Sequence, residues 1–132
     1  MAHAQSIART QQKSAIIRNL APAIMDRMGV NTQEGLVIIR FEDILYCEAM
    51  SNYCRLYLRD GSSLVASRTL KHVFACLPHS AFMRTHQSYV VRIDAITRVH
   101  HELMLYNGKK IPVARSQRSV LTEWFRDQLP VI

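Results

Sequence analysis

The segment from Phe82 to Arg92 places hydrogen-bonding and cationic side chains between two short apolar arms. Four side chains form its polar centre: Arg84, His86, Gln87 and Ser88. Polar groups of this kind are costly to bury inside a sheet unless each of them finds a partner. The cluster therefore indicates a surface that binds a polar ligand outside the protein. The alternative is a buried network in which Arg84 and His86 tie two loops together.

Histidine, serine and cysteine do not form a pattern typical of catalysis or of a metal centre. His100 and His101 are adjacent on a predicted strand, where neighbouring side chains point to opposite faces, so we expect them not to share a metal. Ser88 lies only two residues from His86, and the sequence has neither a G-x-S-x-G elbow nor a glycine-rich phosphate loop. We expect a protein that is not an enzyme and has no cofactor and no metal.

Length and composition predict one domain in the cytoplasm. The chain has 132 residues, 48% of them hydrophobic, which is enough for a single core. No apolar run reaches the roughly 18 residues needed to cross a bilayer, and the N-terminus lacks the apolar core of a signal peptide. The three cysteines, Cys47, Cys54 and Cys76, are an odd number without a C-x-x-C pair, which favours reduced thiols. We expect no membrane insertion.

Residues 4 to 28 carry apolar side chains near helical spacing, which predicts an amphipathic helix that Pro22 interrupts and Gly29 stops. The apolar stripe consists of Ile7, Ile16, Ile17, Leu20, Ile24 and Met28. We therefore divide the chain into an N-terminal helical extension, residues 1 to 34, and a domain, residues 35 to 132. The helix could pack on the domain, pair two copies, or dock on a separate signalling protein.

From Leu36 onward the pattern predicts a mainly β fold with flanking helices. Short strands are predicted at residues 36–39, 44–50, 53–59, 62–67, 96–101, 102–106 and 109–114, and on both sides of the polar centre. Thr69 can cap a helix that runs to Leu77. Residues 116 to 129 predict a C-terminal helix with an apolar face of Val120, Leu121, Trp124 and Phe125. No β-α-β alternation appears, which argues against a parallel nucleotide-binding sheet.

Basic residues are concentrated in one half of the chain. Residues 68 to 118 contain nine lysines and arginines against two acids and carry a charge of +7, which equals the net charge of the whole chain. The nine are Arg68, Lys71, Arg84, Arg92, Arg98, Lys109, Lys110, Arg115 and Arg118. A concentration of one sign is typical of proteins that bind a polyanion, and we place nucleic acid ahead of an acidic protein or a membrane surface.

The motif Phe-x-Arg-x-His-x-Ser-Tyr-x-Val at residues 82 to 91 resembles the signature of the LytTR DNA-binding domain of bacterial response regulators. Segments 42–53, 68–71 and 107–115 are similar, in order, to the opening hairpin, the helix start and the closing Pro-Val-Ser-Arg motif of that family. The resemblance covers roughly residues 36 to 125. It implies a compact, mostly antiparallel β fold that contacts DNA through loops. Ala114 and Arg92 depart from the serine and asparagine usual in the family, and Arg92 could strengthen nonspecific DNA affinity or pair with Asp94.

Base-reading roles follow from side-chain chemistry and from this resemblance. Arginine suits guanine, and glutamine or asparagine suits adenine, because each presents two correctly spaced groups to a base edge in the major groove. Gln87 and Arg115 are the first choices, since Gln87 occupies the variable position after the family's histidine and Arg115 ends the Pro-Val-x-Arg motif. Asn52 and Tyr53 correspond to the tip of a loop that contacts DNA in the family.

The other candidates suit the DNA backbone. Phosphate contacts fix register without reading sequence, and we expect them from Ser88, Arg68, Lys71 and Arg118. Arg84 and His86 could be phosphate contacts or struts.

Two hypotheses follow for function. The first is a sequence-specific DNA-binding transcription regulator, which by resemblance is expected to bind direct repeats as two copies, forming a homodimer on DNA. The second is a protein-protein adaptor that binds a signalling partner through residues 1 to 28. Only about thirty residues precede the domain, too few for a receiver module, so we expect the domain to act without one.

Overall fold

The computed structural model describes residues 26 to 132, which form ten strands and two helices of at least one full turn. The strands are β1 Arg27–Thr32, β2 Gly35–Arg40, β3 Ile44–Met50, β4 Tyr53–Leu58, β5 Ser63–Ala66, β6 Phe82–His86, β7 Tyr89–Arg92, β8 Ile96–Val99, β9 Glu102–Leu105 and β10 Lys110–Pro112. The helices are α1 Leu70–Cys76 and α2 Arg118–Gln128.

The largest sheet has five strands in the order β5-β4-β3-β7-β6, and every neighbouring pair is antiparallel. Alternation along β4 explains its two faces, because Cys54 and Leu56 are fully buried while Tyr53 and Arg55 lie on the other side. The hairpins predicted around these strands are confirmed. Helix α1 covers the buried face, and Thr69 caps it by accepting the His72 backbone N–H at 3.3 Å, as predicted.

A second, three-stranded sheet, β10-β9-β8, packs with α2 around another core. Leu121 is buried and Phe125 is half-buried in this core, but Val120 is 61% exposed and Trp124 is 38% exposed. The predicted four-residue apolar face of α2 is therefore wrong for these two residues. Residues 121 and 125 form the narrow i, i+4 stripe that contacts the sheet, and residues 120 and 124 flank it. Neither helix within residues 26 to 132 is long and apolar enough to span a membrane.

Strand β1 corrects the end of the predicted N-terminal helix. Arg27–Thr32 pairs antiparallel with β2, with Met28 opposite Ile39 and Val30 opposite Val37. Val30 and Ile39 are buried, and Met28 packs against the same core. Met28 therefore faces the core because side chains alternate along a strand, and not because it belongs to a helical stripe. Gly29 lies inside the strand and stops no helix. Residues 4 to 25 of the predicted helix lie outside the described part of the chain.

Arg92 is a buried strut, with only 5% of its surface exposed. Its Nε donates to the Ile44 carbonyl at 2.7 Å, Nη2 donates to the Phe41 carbonyl, and the guanidinium lies 4.6 Å from the centre of the Phe82 ring. Burial lowers the pKa of this guanidinium, and the Asp94 carboxylate, 3.8 Å from Nη1, opposes that shift. Of the two expectations for Arg92, the structure therefore supports pairing with Asp94 and not a surface charge.

Candidate nucleic-acid interface

Turns from two of the hairpins of the large sheet, β3–β4 and β6–β7, meet at one end of it. β3 ends at Met50, and Tyr89 at the start of β7 lies opposite Glu48, so the β3–β4 and β6–β7 turns are neighbours. The Ala49 N–H donates to the Ser88 carbonyl at 2.8 Å and joins them. Two strand spacings separate the turns, which is roughly 10 Å.

Two further segments reach the same end. Ala66, the last residue of β5, lies opposite Cys54, so Arg68 and Lys71 follow at this side of the sheet. Beyond β6, the Ala114 N–H donates to the Thr85 carbonyl at 3.2 Å and brings in the start of α2. We call the four segments 51–53, 67–71, 84–88 and 114–118 the loop edge. The five strands of the large sheet, whose ends lie along this edge, together span roughly 19 Å.

All ten residues predicted to contact DNA lie on the loop edge. They are Asn52, Tyr53, Arg68, Lys71, Arg84, His86, Gln87, Ser88, Arg115 and Arg118. Asn52 and Tyr53 are exposed, and Ser51 before them has a φ of 61°, the left-handed conformation that two-residue hairpin turns require. The structure thus brings together residues that are up to 66 positions apart in the sequence.

The β6–β7 turn is braced by its own side chains. Arg84 Nη2 donates to the Gln87 carbonyl at 2.6 Å, and the Ser88 N–H donates to His86 Nδ1 at 3.1 Å. These bonds hold the backbone of the turn without using the side chain of Gln87, which is exposed. Arg84 and His86 therefore brace the turn, and contact of either residue with a phosphate stays a prediction.

Glu48 supports the loop edge from within the sheet, and the sequence analysis did not identify it. Its two carboxylate oxygens accept the hydroxyl groups of Tyr57, at 3.1 Å, and Tyr89, at 2.8 Å. The Tyr57 ring also stacks on Tyr46 at 4.3 Å. Burial, followed by the bond to Glu48, raises the pKa of Tyr89 to about 12. Strand alternation puts residues 46 and 48 on one face of β3, and this pattern could have identified Glu48 from the sequence.

Charge is distributed unevenly over the described residues. Five of the nine basic residues lie on the loop edge: Arg68, Lys71, Arg84, Arg115 and Arg118. None of these five forms a salt bridge with another residue in the range 26 to 132. Lys109 instead lies over the Tyr46 ring, outside the loop edge. A row of unpaired cations with amide side chains between them can bind a polyanion.

The predicted placement of the paired histidines on a strand, with side chains on opposite faces, is wrong. His100 and His101 occupy the turn between β8 and β9, and their ring centres lie 4.1 Å apart. Strand alternation does not apply to residues in a turn, so the two rings lie side by side. No group of three potential metal ligands is present within residues 26 to 132.

The fold and this edge define an antiparallel β domain with cationic loops at one end of its large sheet, an arrangement typical of nucleic-acid-binding domains. The family model described as LytTr DNA-binding domain matches residues 34–126, and the chain belongs to this family. A solved LytTr DNA-binding domain from Bacillus cereus has the same fold, with a TM-score of 0.62 and 21% identity over 80% of this chain and 98% of that chain. The predicted resemblance and the mainly β, mostly antiparallel fold are confirmed.

Curated relatives include the sensory transduction protein LytT of Bacillus anthracis and of Bacillus subtilis. The first is 27% identical over 111 residues, which is 79% of this chain and 44% of the relative. The second is 30% identical over 96 residues, which is 68% of this chain and 39% of the relative. The chain therefore spans less than half the length of these relatives.

Proposed function

We propose that the protein is a sequence-specific DNA-binding transcription regulator that reads the major groove through the turns of the loop edge. The observation that carries the proposal is the gathering of five cations, none in a salt bridge within residues 26 to 132, around the exposed side chains of Asn52 and Gln87. A major groove is about 12 Å wide. The loop edge is longer than that, so it contacts base edges at its centre and phosphates on either side. Such a regulator acts in the bacterial cytoplasm.

Roles follow from position on the edge. Gln87 lies near its centre and Arg115 lies on the neighbouring segment beyond β6; both are exposed, and they are the proposed base readers. Asn52 and Tyr53 reach the same groove from the adjacent turn. Arg68 and Lys71 lie at one end, Ser88 and Arg118 flank the readers, and these four contact phosphates.

A binding titration tests this proposal. The protein is titrated against DNA from its own upstream promoter and against a scrambled duplex of equal length, each at two salt concentrations. We expect tighter binding to the promoter sequence, with affinity for both falling as salt rises. Equal affinity for the two duplexes would contradict sequence reading. No binding to either would leave the adaptor hypothesis, in which a protein partner docks on the N-terminal segment.

Replacing Lys71 tests the phosphate contacts. Lys71→Ala should weaken binding to all sequences alike and make the salt slope shallower by roughly one unit, because one phosphate contact is lost. Lys71 is exposed and makes no capping bond, and alanine favours helices, so α1 should remain folded. Lys110→Ala is the matched control, because it removes the same charge away from the loop edge. Equal effects of both variants would indicate net charge alone, and an unchanged slope would take Lys71 out of the interface.

The number of copies on DNA is a further part of the proposal. A single small domain with few base contacts rarely reaches the affinities of roughly 10⁻⁸ M that regulators need. We expect two protein copies on each operator, arranged on direct repeats and paired through residues 1 to 25. A deletion should end at residue 25, because removal of residues 27 and 28 would cut into β1.

Sedimentation of the complex measures the copy number, and a half-site titration measures cooperativity. The deletion should lower cooperativity while binding to one half-site survives. One copy on a full site would contradict pairing. Failure of the shortened protein to fold would show instead that the N-terminal segment belongs to the core.

A further inference from the structure

The turn between β8 and β9 carries two exposed imidazoles beside a cation of the loop edge. His101 Nδ1 lies 3.4 Å from Arg118 Nη1, and the His100 ring lies 4.1 Å from the His101 ring. Arg118 Nε is buried and has no hydrogen-bond partner among the described residues. The only acid next to this turn in the sequence is Glu102, which is exposed and forms no salt bridge in the range 26 to 132.

The topology places this turn next to the loop edge. β9 is antiparallel to β10, with Glu102 opposite Pro112, so the turn lies at the end of the small sheet from which the chain continues to Ala114. Ala114 is bonded to Thr85 on β6. The turn therefore extends the row of loops by one more position, beyond Arg115.

The chemistry of the cluster suits an anion. A guanidinium can only donate hydrogen bonds, so His101 can pair with Arg118 only while its Nδ1 accepts. An imidazole always retains at least one N–H donor, which is then available on the outer side of the turn. Arg118 and the two imidazoles lie close to one another, no carboxylate within residues 26 to 132 is bonded to them, and together they offer several donors. A phosphate oxygen satisfies such donors.

We propose that the His100–His101 turn binds a DNA phosphate beyond the bases read by Arg115, and that Arg118 shares this phosphate. The inference rests on the proposed DNA-binding function. The inference adds one contact at the end of the interface. Because this contact is to the DNA backbone, it contributes affinity without sequence preference.

The test is the double variant His100→Ala/His101→Ala on promoter and scrambled DNA. We expect binding to weaken by about 3- to 10-fold on both duplexes, as the loss of one or two hydrogen bonds should cause. Ethylation interference should lose one phosphate at the edge of the footprint and keep the others. The matched control is Lys110→Ala on the same sheet, which should change neither the affinity nor the footprint.

A second variant keeps the test independent of any effect on folding. His101→Lys retains a donor and fixes a positive charge, so it should bind both duplexes at least as tightly as the native protein. Ser80 lies two residues before β6, at the opposite end of that strand from the loop edge. Ser80→Lys therefore adds the same charge away from DNA and should not tighten binding. Native affinity and an unchanged footprint in a folded double alanine variant would overturn the inference. Absence of DNA binding by the native protein would instead overturn the proposed function.

Discussion

Arg92→Ala is expected to lower the free energy of unfolding by about 2 to 4 kcal/mol, because it leaves buried carbonyl groups without their charged donor. The guanidinium bonds the carbonyls of Ile44 and Phe41. The Phe41 carbonyl also accepts the Ile44 backbone N–H, so the larger part of the loss falls on the buried bond to Ile44. The guanidinium also covers the face of the buried Phe82 ring. Urea unfolding measures the loss.

Two variants sharpen this measurement. Arg98→Ala removes an exposed arginine from β8 and should stay within about 0.5 kcal/mol of the native protein. The free energy of unfolding of Arg92→Lys should lie between those of Arg92→Ala and Arg98→Ala. A single ammonium group cannot bond both carbonyls and stack on the ring as a planar guanidinium does. If Arg92→Ala were as stable as Arg98→Ala, the buried bonds would contribute nothing measurable.

The same residue separates fold from function. Because Arg92 is buried, the folded fraction of Arg92→Ala should bind DNA with native affinity and native salt slope, although a positive charge is removed. A shallower slope in this variant would mean that Arg92 reaches a phosphate, which was the other expectation drawn from its charge.

Local pattern was enough to predict much of the fold. In β4, alternation of Cys54 and Leu56 with polar neighbours fixes both the strand and its buried face, and Asn107-Gly108 fixes a hairpin turn. The local pattern predicted the wrong element where both the helical and the strand periodicity fit the same residues. Met28 follows Ile24 at helical spacing but also alternates with Val30, and only the partner strand β2 decides in favour of β1.

Contacts distant in sequence could not be predicted at all. Arg92 bonds residues 48 and 51 positions away, and Glu48 bonds Tyr89 at a separation of 41. For the site, the identity of the candidate residues followed from side-chain chemistry and family resemblance. Their placement along one edge depends on the strand order, which no short segment encodes. The position of His101 beside Arg118 has the same origin, since it requires that β8–β10 end next to α2.

Gln87→Ala is expected to weaken binding to the cognate site by about 1 to 3 kcal/mol while nonspecific affinity stays nearly unchanged, as the loss of a bidentate base contact should. The structure makes this variant a clean one. Arg84 bonds the backbone carbonyl of Gln87, and His86 bonds the Ser88 N–H. Neither hydrogen bond involves the side-chain amide that Gln87→Ala removes. Gln87 is also exposed, which limits any effect on stability.

The matched variant is Arg84→Ala, which keeps Gln87 but removes the brace. It should loosen the turn and remove a cation, and so weaken binding to cognate and scrambled DNA together. Titration of both variants on both duplexes at one salt concentration distinguishes reading from support, because only Gln87→Ala should reduce the ratio of cognate to scrambled affinity. An equal loss on the two duplexes for Gln87→Ala would assign Gln87 to the backbone contacts and leave Arg115 and Asn52 as the remaining candidates for base reading.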